Sequence, residues 1–190
     1  MADLQDFRVA ALATDGFEES ELLEPMKALQ DSGAQVFVLS PNQGEIQAAV
    51  HDTEKGSKVK VDRAINGAST RDYDAALIPG GTVNADRMRT EPGLQAFLQA
   101  MQKEGKPIAV ICHGPWELVS AGLVKGRSLT SFHTLKDDIV NAGGNWRDEE
   151  TVVDGNWLSS RSPKDIPAFN KAMLDLFASS RRGNGARPQA

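Results

Sequence analysis

The chain has 190 residues, with 21 lysines and arginines against 26 aspartates and glutamates, for a formal charge of −5. That length fits one domain, a 40% hydrophobic and 25% charged content fits a folded globular chain rather than a disordered one, and the acidic balance disfavours nucleic acid as a partner. Its apolar runs fall far short of the ~18–20 residues that span a bilayer, its acidic start does not resemble a secretory leader, and its single cysteine cannot close an internal disulfide, so a cytoplasmic protein is expected.

Arg8–Ala13 reads as a buried strand closed by the turn residues Thr14-Asp15-Gly16. From Glu18 the period becomes helical: Leu22, Leu23, Met26 and Leu29 share a face, acids crowd the first turns, and Gly33 is the stop. Pro25 predicts a kink or a later start. Gln35–Ser40 is a second buried strand, which makes a strand–helix–strand unit with a right-handed parallel crossover. Pro41–Lys60 is polar and glycine-punctuated and reads as a small hairpin or edge ribbon.

Ala75–Ile78 is a strand closed by Pro79-Gly80-Gly81, and the helix after it carries Leu94, Phe97, Leu98 and Met101 on one face. Ile108–Ile111, the most apolar strand, runs into Cys112-His113-Gly114-Pro115 and a helix with Trp116, Leu118 and Val119. Leu129–Phe132 is a further strand and Leu135–Ala142 a helix. Asp154-Gly155 between Val152-Val153 and Trp157-Leu158 marks a hairpin, and Pro163–Phe177 is the last helix. Residues 1–180 are expected to form one α/β domain, a mostly parallel sheet with helices on both faces, and 181–190 a flexible tail.

Three segments share an address. Asp15–Glu21, Pro79-Gly80-Gly81 and Cys112-His113-Gly114 each follow a predicted strand, and ligands in open α/β sheets gather at the carboxyl ends of strands. Cys112 ends a strand and opens a helix, with Gly114 permitting a tight turn, like the nucleophile turn of hydrolases. The helix dipole there is expected to lower the thiol below its free value of ~8.5; the bland alternative is an inert buried cysteine.

His113 follows directly, although adjacency alone does not make a Cys–His pair. His51 and His133 lack metal-ligand spacing, so neither metal nor cofactor is expected. Glu18 and Glu21 share a helix face, and the simplest account of both is ordinary first-turn charge. A carboxyl beside a thiolate is stable only when protonated, a state that burial and a neighbouring negative charge favour for Glu21. Glu19 is expected to face solvent. Gly80 and Gly81 could offer backbone N–H groups to an oxyanion beside Cys112, and Gly114 and the Cys112 amide are further candidates for that role.

The run Ile111-Cys112-His113-Gly114-Pro115, with Lys136-Asp137-Asp138, Asn141-Ala142-Gly143 and Val152-Val153-Asp154-Gly155-Asn156-Trp157, resembles the PfpI family of intracellular protease-like proteins, in the superfamily of the parkinsonism-associated protein deglycase. The likeness extends from about Arg8 to Phe177. It implies a flavodoxin-like three-layer sandwich with Cys112 as nucleophile at a strained elbow, His113 as the histidine of a triad, and Glu21 as the acid bonded to the sulfur. Glu18 is implied as a further active-site acid, and Asp86 as a third triad member reaching in from a neighbouring subunit, hence a homodimer or larger assembly. Phe132 stands where several relatives carry a substrate-facing tyrosine.

The activities implied are conversion of methylglyoxal to lactate or repair of aldehyde-glycated protein. Peptide hydrolysis by an intracellular cysteine peptidase is the alternative, and a redox-sensing or chaperone-like stress protein a third. Small reactive aldehydes, glycated protein or peptides are the corresponding substrates.

Overall fold

The computed structural model describes residues 3–183. Its elements are β1 (Arg8–Leu12), β2 (Phe17–Glu18), α1 (Glu19–Asp31), β3 (Gln35–Ser40), β4 (Glu45–Val50), β5 (Glu54–Lys60), β6 (Arg63–Ala64), β7 (Ala75–Ile78), α2 (Thr82–Met88) and α3 (Pro92–Lys103). There follow β8 (Ile108–Ile111), α4 (Pro115–Ser120), β9 (Ser128–Leu129), α5 (Lys136–Asn141), β10 (Asn145–Trp146), β11 (Thr151–Asp154), β12 (Trp157–Ser160) and α6 (Ile166–Gly183).

The main sheet has seven strands in the order β11-β12-β8-β7-β1-β3-β6. Every neighbouring pair is parallel except the edge hairpin β11–β12. Alternation along the strands builds two cores. Val9 and Ala11 of β1 pack on one face with Leu22 and Leu29 of α1 and Phe169, Met173 and Phe177 of α6. Ala10 and Leu12 pack on the other with Leu94, Phe97, Leu98 and Met101 of α3, Leu118 of α4 and Ile139 of α5. This is the expected three-layer sandwich. From β1 the chain steps to β3 on one side and β7 on the other, so the strand order reverses at β1/β7, where a crevice opens at the carboxyl ends.

Three expectations change in detail. The 41–60 ribbon is a hairpin, β4–β5, but it joins β2 in a separate three-stranded sheet, β2-β4-β5, laid near the carboxyl end of β1. Helix α1 runs from Glu19 through Pro25 to Asp31, so the proline neither delays its start nor ends it. Helix α6 continues to Gly183, three residues into the segment expected as a tail, with the Arg181 guanidinium 3.1 Å from the Asp3 carbonyl; 184–190 lie outside the described residues. No helix among the described residues is long and apolar enough to cross a membrane.

Glu117 of α4 is fully buried, and neither carboxylate oxygen has a hydrogen-bond partner among the described residues. Burial raises its pKa well above the ordinary carboxyl value and so favours the neutral acid. An unpaired buried polar group costs roughly 1–3 kcal/mol. Glu117→Leu, which keeps the bulk and removes the oxygens, is expected to raise the unfolding free energy by about that amount in urea titrations; a loss of stability would show that the carboxyl is satisfied after all.

Candidate active site

Strand β8 is buried along its whole length and stops at Ile111 because the backbone turns sharply at Cys112, where φ is +62°. This left-handed conformation is uncommon for a residue with a side chain and marks a constrained position. Both sides of the turn are tied down: the Cys112 amide donates to the Ser160 carbonyl of β12 at 3.0 Å, and the Gly114 amide donates to the Ile111 carbonyl at 3.0 Å. A side chain on Gly114 would meet Val110, Ile78 and the Ile111 carbonyl, so glycine is needed there for packing.

Glu21, on the first turns of α1, points inward and is completely buried. Its Oε2 accepts the Gly80 amide at 2.9 Å. Its Oε1 has no partner of ordinary hydrogen-bond geometry; what the carboxyl faces is the Cys112 thiol. Burial is the main cause that pushes Glu21 up to about 8, with the charges of Glu18 and Asp52 adding to it. A neutral acid held against the sulfur, as the sequence suggested, follows from that environment.

The thiol itself departs from expectation. Burial first, and the Glu21 carboxylate second, push Cys112 well above its ordinary value, while the His113 amide opposes them. The expected depression rested on a helix dipole, but α4 has only six residues and the sulfur sits in a site just 7% exposed. Desolvation outweighs the dipole. Glu21 and Cys112 therefore titrate as a pair. An ionised Glu21 keeps the thiol protonated, and a protonated Glu21 becomes a donor to the sulfur.

Glu21 also makes stability depend on pH. Between about pH 4.5 and 8 the unfolded chain has released this proton while the folded chain keeps it. Its contribution is therefore full below the unfolded value and is lost as pH rises through the folded one, with a slope of up to about 1.4 kcal/mol per pH unit. Glu21→Gln is expected to flatten the fall in urea-unfolding free energy across that window; an unchanged slope would place the titration elsewhere.

His113 is brought to the sulfur, with Nδ1 3.3 Å from Sγ. Its ring stacks on Phe132 at 4.7 Å and meets the edge of Trp116 at 5.6 Å. Burial is the main cause of its lowered pKa. Phe132, expected as a substrate contact, thus serves as a wall for the imidazole, and its amide donates to the Cys112 carbonyl at 2.8 Å.

Of the expected oxyanion donors, the Gly80 amide is taken by Glu21, the Gly114 amide by Ile111 and the Cys112 amide by Ser160. This corrects the assignment of Gly80, Gly114 and Cys112 to that role. The Gly81 amide makes no hydrogen bond to another described residue. Gly80 is required for another reason: a Cβ there would lie 2.5 Å from Glu21 Oε2 and 2.7 Å from Cys112 Cβ. Buried Asn84 holds the two strand ends together, accepting the Thr14 amide at 2.7 Å and donating to the Gly80 carbonyl at 3.1 Å.

Glu18 is buried beside the site but makes no hydrogen bond to Cys112 or His113. Its Oε2 accepts the His51 amide at 2.9 Å and so anchors the β4–β5 turn. Glu19, expected in solvent, accepts the Ser57 amide of the same hairpin. Asp86 is exposed on α2 and has no hydrogen bond or ion pair among the described residues, and none of the site's groups in its own chain meets it. Two residues beside His113 went unnoticed in the sequence. Thr82 Oγ1 stands 3.5 Å from His113 Nε2, and Asp52 holds Thr82.

The fold and the elbow define an α/β sandwich with a cysteine where hydrolases of related architecture carry their nucleophile. The chain belongs to the DJ-1/PfpI family, whose model matches residues 7–176. It is 38% identical over 170 residues to the deglycase PfpI of Pyrococcus furiosus, covering 90% of this chain and 99% of that one. It is 36% identical over 171 residues to general stress protein 18 of Bacillus subtilis, covering 90% and 97%. A two-domain Anabaena variabilis protein with DJ-1/ThiJ/PfpI-like and ferritin-like domains superposes with a TM-score of 0.84 at 32% identity, over 90% of this chain and 48% of that longer one.

Proposed function

We propose that the chain is a cysteine-dependent enzyme acting on reactive dicarbonyls and on the adducts they leave on protein, with methylglyoxal as its small-molecule substrate and lactate as product. The observation that carries this reading is the pair formed by Cys112 and a neutral Glu21, because a buried acid with a pKa of about 8 exchanges protons readily near neutral pH. The deglycase names of its relatives support the same chemistry.

The thiol proton passes to His113 Nδ1 as the sulfur adds to the aldehyde carbon. The carbonyl oxygen, held by the Gly81 amide, takes that proton back, which leaves a hemithioacetal and a neutral imidazole. Glu21, in the ionised fraction that a pKa of about 8 leaves near neutral pH, then removes the carbon-bound hydrogen and delivers it to the neighbouring carbon, returning to carboxylate, while the hydroxyl proton moves to the former ketone oxygen. The product is a lactyl thioester on Cys112, which water hydrolyses to lactate and free thiol. Each step has a nearby group suited to it, and none needs an electron acceptor.

The test is lactate formation from methylglyoxal by the purified protein without glutathione. Release of lactate at a rate that scales with protein, and that stops when Cys112 is alkylated, supports the reading. Cleavage of casein peptides with no lactate formed would overturn it in favour of a peptidase.

A further inference from the structure

The expected triad leaves the far nitrogen of His113 to a residue of a neighbouring copy. In this chain that nitrogen already faces an oxygen. His113 Nε2 lies 3.5 Å from Thr82 Oγ1, the first residue of α2. The Thr82 hydroxyl donates to Asp52 Oδ2 at 3.0 Å, and the Thr82 amide donates to Asp52 Oδ1 at 2.8 Å. We propose that Asp52, acting through the Thr82 hydroxyl, is the positioning acid of His113, so that the Cys112–His113 pair is oriented within one chain. The inference rests on the reading of Cys112 as nucleophile and His113 as its base.

Hydrogen counting gives the relay a direction. A threonine hydroxyl has one hydrogen, and the Asp52 carboxylate takes it. What the hydroxyl turns toward His113 is therefore a lone pair, and Nε2 is the nitrogen that carries hydrogen. Nδ1 is then bare, 3.3 Å from the Cys112 sulfur, in the tautomer that accepts a thiol proton. Once it does, the ring is an imidazolium whose Nε2–H reaches Asp52 through one hydroxyl. The 3.5 Å separation belongs to the neutral ring, and such contacts shorten when charge develops. This is the division of labour of a serine-protease triad, with a hydroxyl inserted between histidine and carboxylate.

The local fold supports this placement. Asp52 sits at the tip of the β4–β5 hairpin, where His51 and Asp52 both take left-handed backbone angles, φ +52° and +62°. Two consecutive residues with side chains in that region are strained and persist only where surroundings hold them. The holding group is buried Glu18, whose carboxylate accepts the His51 amide at 2.9 Å and is also stabilised by the amide of Asp52. Glu18 thus acts on the site at one remove, by presenting Asp52. The charges acting on the imidazole are Asp52, which favours its protonated form, and His133, which opposes it; Phe132 and Trp116 present only ring surfaces, and Cys112 and Glu21 lie on the Nδ1 side.

The experiment combines kinetics with nitrogen-15 NMR of the imidazoles, which the presence of only three histidines keeps readable. Asp52→Asn tolerates the left-handed angle and removes the charge. Thr82→Val keeps the amide and the branched shape and removes the hydroxyl, and Thr82→Ser restores it. In Asp52→Asn the His113 pKa is expected to fall, and in Thr82→Val the Nε2–H tautomer to lose its preference. In both, kcat should drop about tenfold with KM within twofold; Thr82→Ser should return both signals toward wild type. Asp86→Asn is expected to leave the His113 signals where they are.

Unmoved His113 signals in Asp52→Asn and Thr82→Val overturn the relay, even if the enzyme makes lactate. So does a shift caused by Asp86→Asn instead, which would hand the role to a neighbouring copy. Absence of lactate formation in the wild type would sink the proposed function, while the NMR signals would still report on whether Asp52 governs the ring.

Discussion

Cys112→Ser is expected to lower lactate formation from methylglyoxal by about 10³-fold or more, with the unfolding midpoint nearly unchanged. The pocket is the reason for the size of the loss. Burial and the Glu21 carboxylate already hold the sulfur in its protonated form, and an alkoxide is far harder to form in the same place than a thiolate. In the proposed reaction the thiol gives up its proton to His113 at the moment of attack; a serine hydroxyl at that site would do so much less readily, and its leaving from the lactyl ester would be slower as well. The fold is spared because serine is close in size and meets the same backbone angle of +62°. Lactate release within tenfold of wild type would remove Cys112 from the chemistry.

Gly81→Ala carries the largest expected loss of stability, about 3–5 kcal/mol, which for a chain of this length lowers the thermal midpoint by roughly 10 °C or more. Two causes add. The residue has φ +90°, which costs a side chain on the order of 1–2 kcal/mol. Its new Cβ would also stand 2.2 Å from the Gly16 carbonyl oxygen and 2.7 Å from the Glu18 amide nitrogen. Neither can retreat freely, because the Gly16 amide is tied to the Gln47 carbonyl at 2.8 Å and the Glu18 amide to the Gly80 carbonyl at 3.3 Å. Gly105→Ala is the control: φ is +67°, but nothing lies within 4 Å, so only the backbone cost of about 1 kcal/mol remains. Equal losses in the two variants, by urea unfolding, would show that the close approach at Gly81 is relieved by a shift elsewhere.

Much of the sandwich could be read from periodicity. Ala75–Ile78 and Ile108–Ile111 appear in the structure with the bounds their apolar runs suggest, because a strand buried on both faces has no polar position to blur its ends. Two-residue strands such as β2 and β6 carry no period at all, and α2, seven residues of mixed polarity, merges in sequence with α3. The same contrast holds at the site. Cys112, Glu21 and Gly81 were legible because each follows a strand of one parallel sheet, whose topology decides where they meet. The direction of the thiol shift was not, since a helix start is visible in a sequence while the depth of a pocket is not. Asp52 and Thr82 are separated by a hairpin tip and a crossing of sheets, and no spacing rule joins a polar turn to the first residue of a distant helix.

The tie between the Cys112 amide and the Ser160 carbonyl reaches across 48 residues of chain to its last strand, β12. A ribosome that has made β8 and α4 has therefore delivered the thiol with only one side of its turn tied, and the second tie forms when β12 slots in alongside. A nascent polypeptide ending before Trp157 lacks this tie, and its turn at Cys112 is held only from the β8–α4 side, by bonds such as that from the Gly114 amide to the Ile111 carbonyl. Completion of the elbow is thus a late event in synthesis, set by the order in which the strands leave the ribosome.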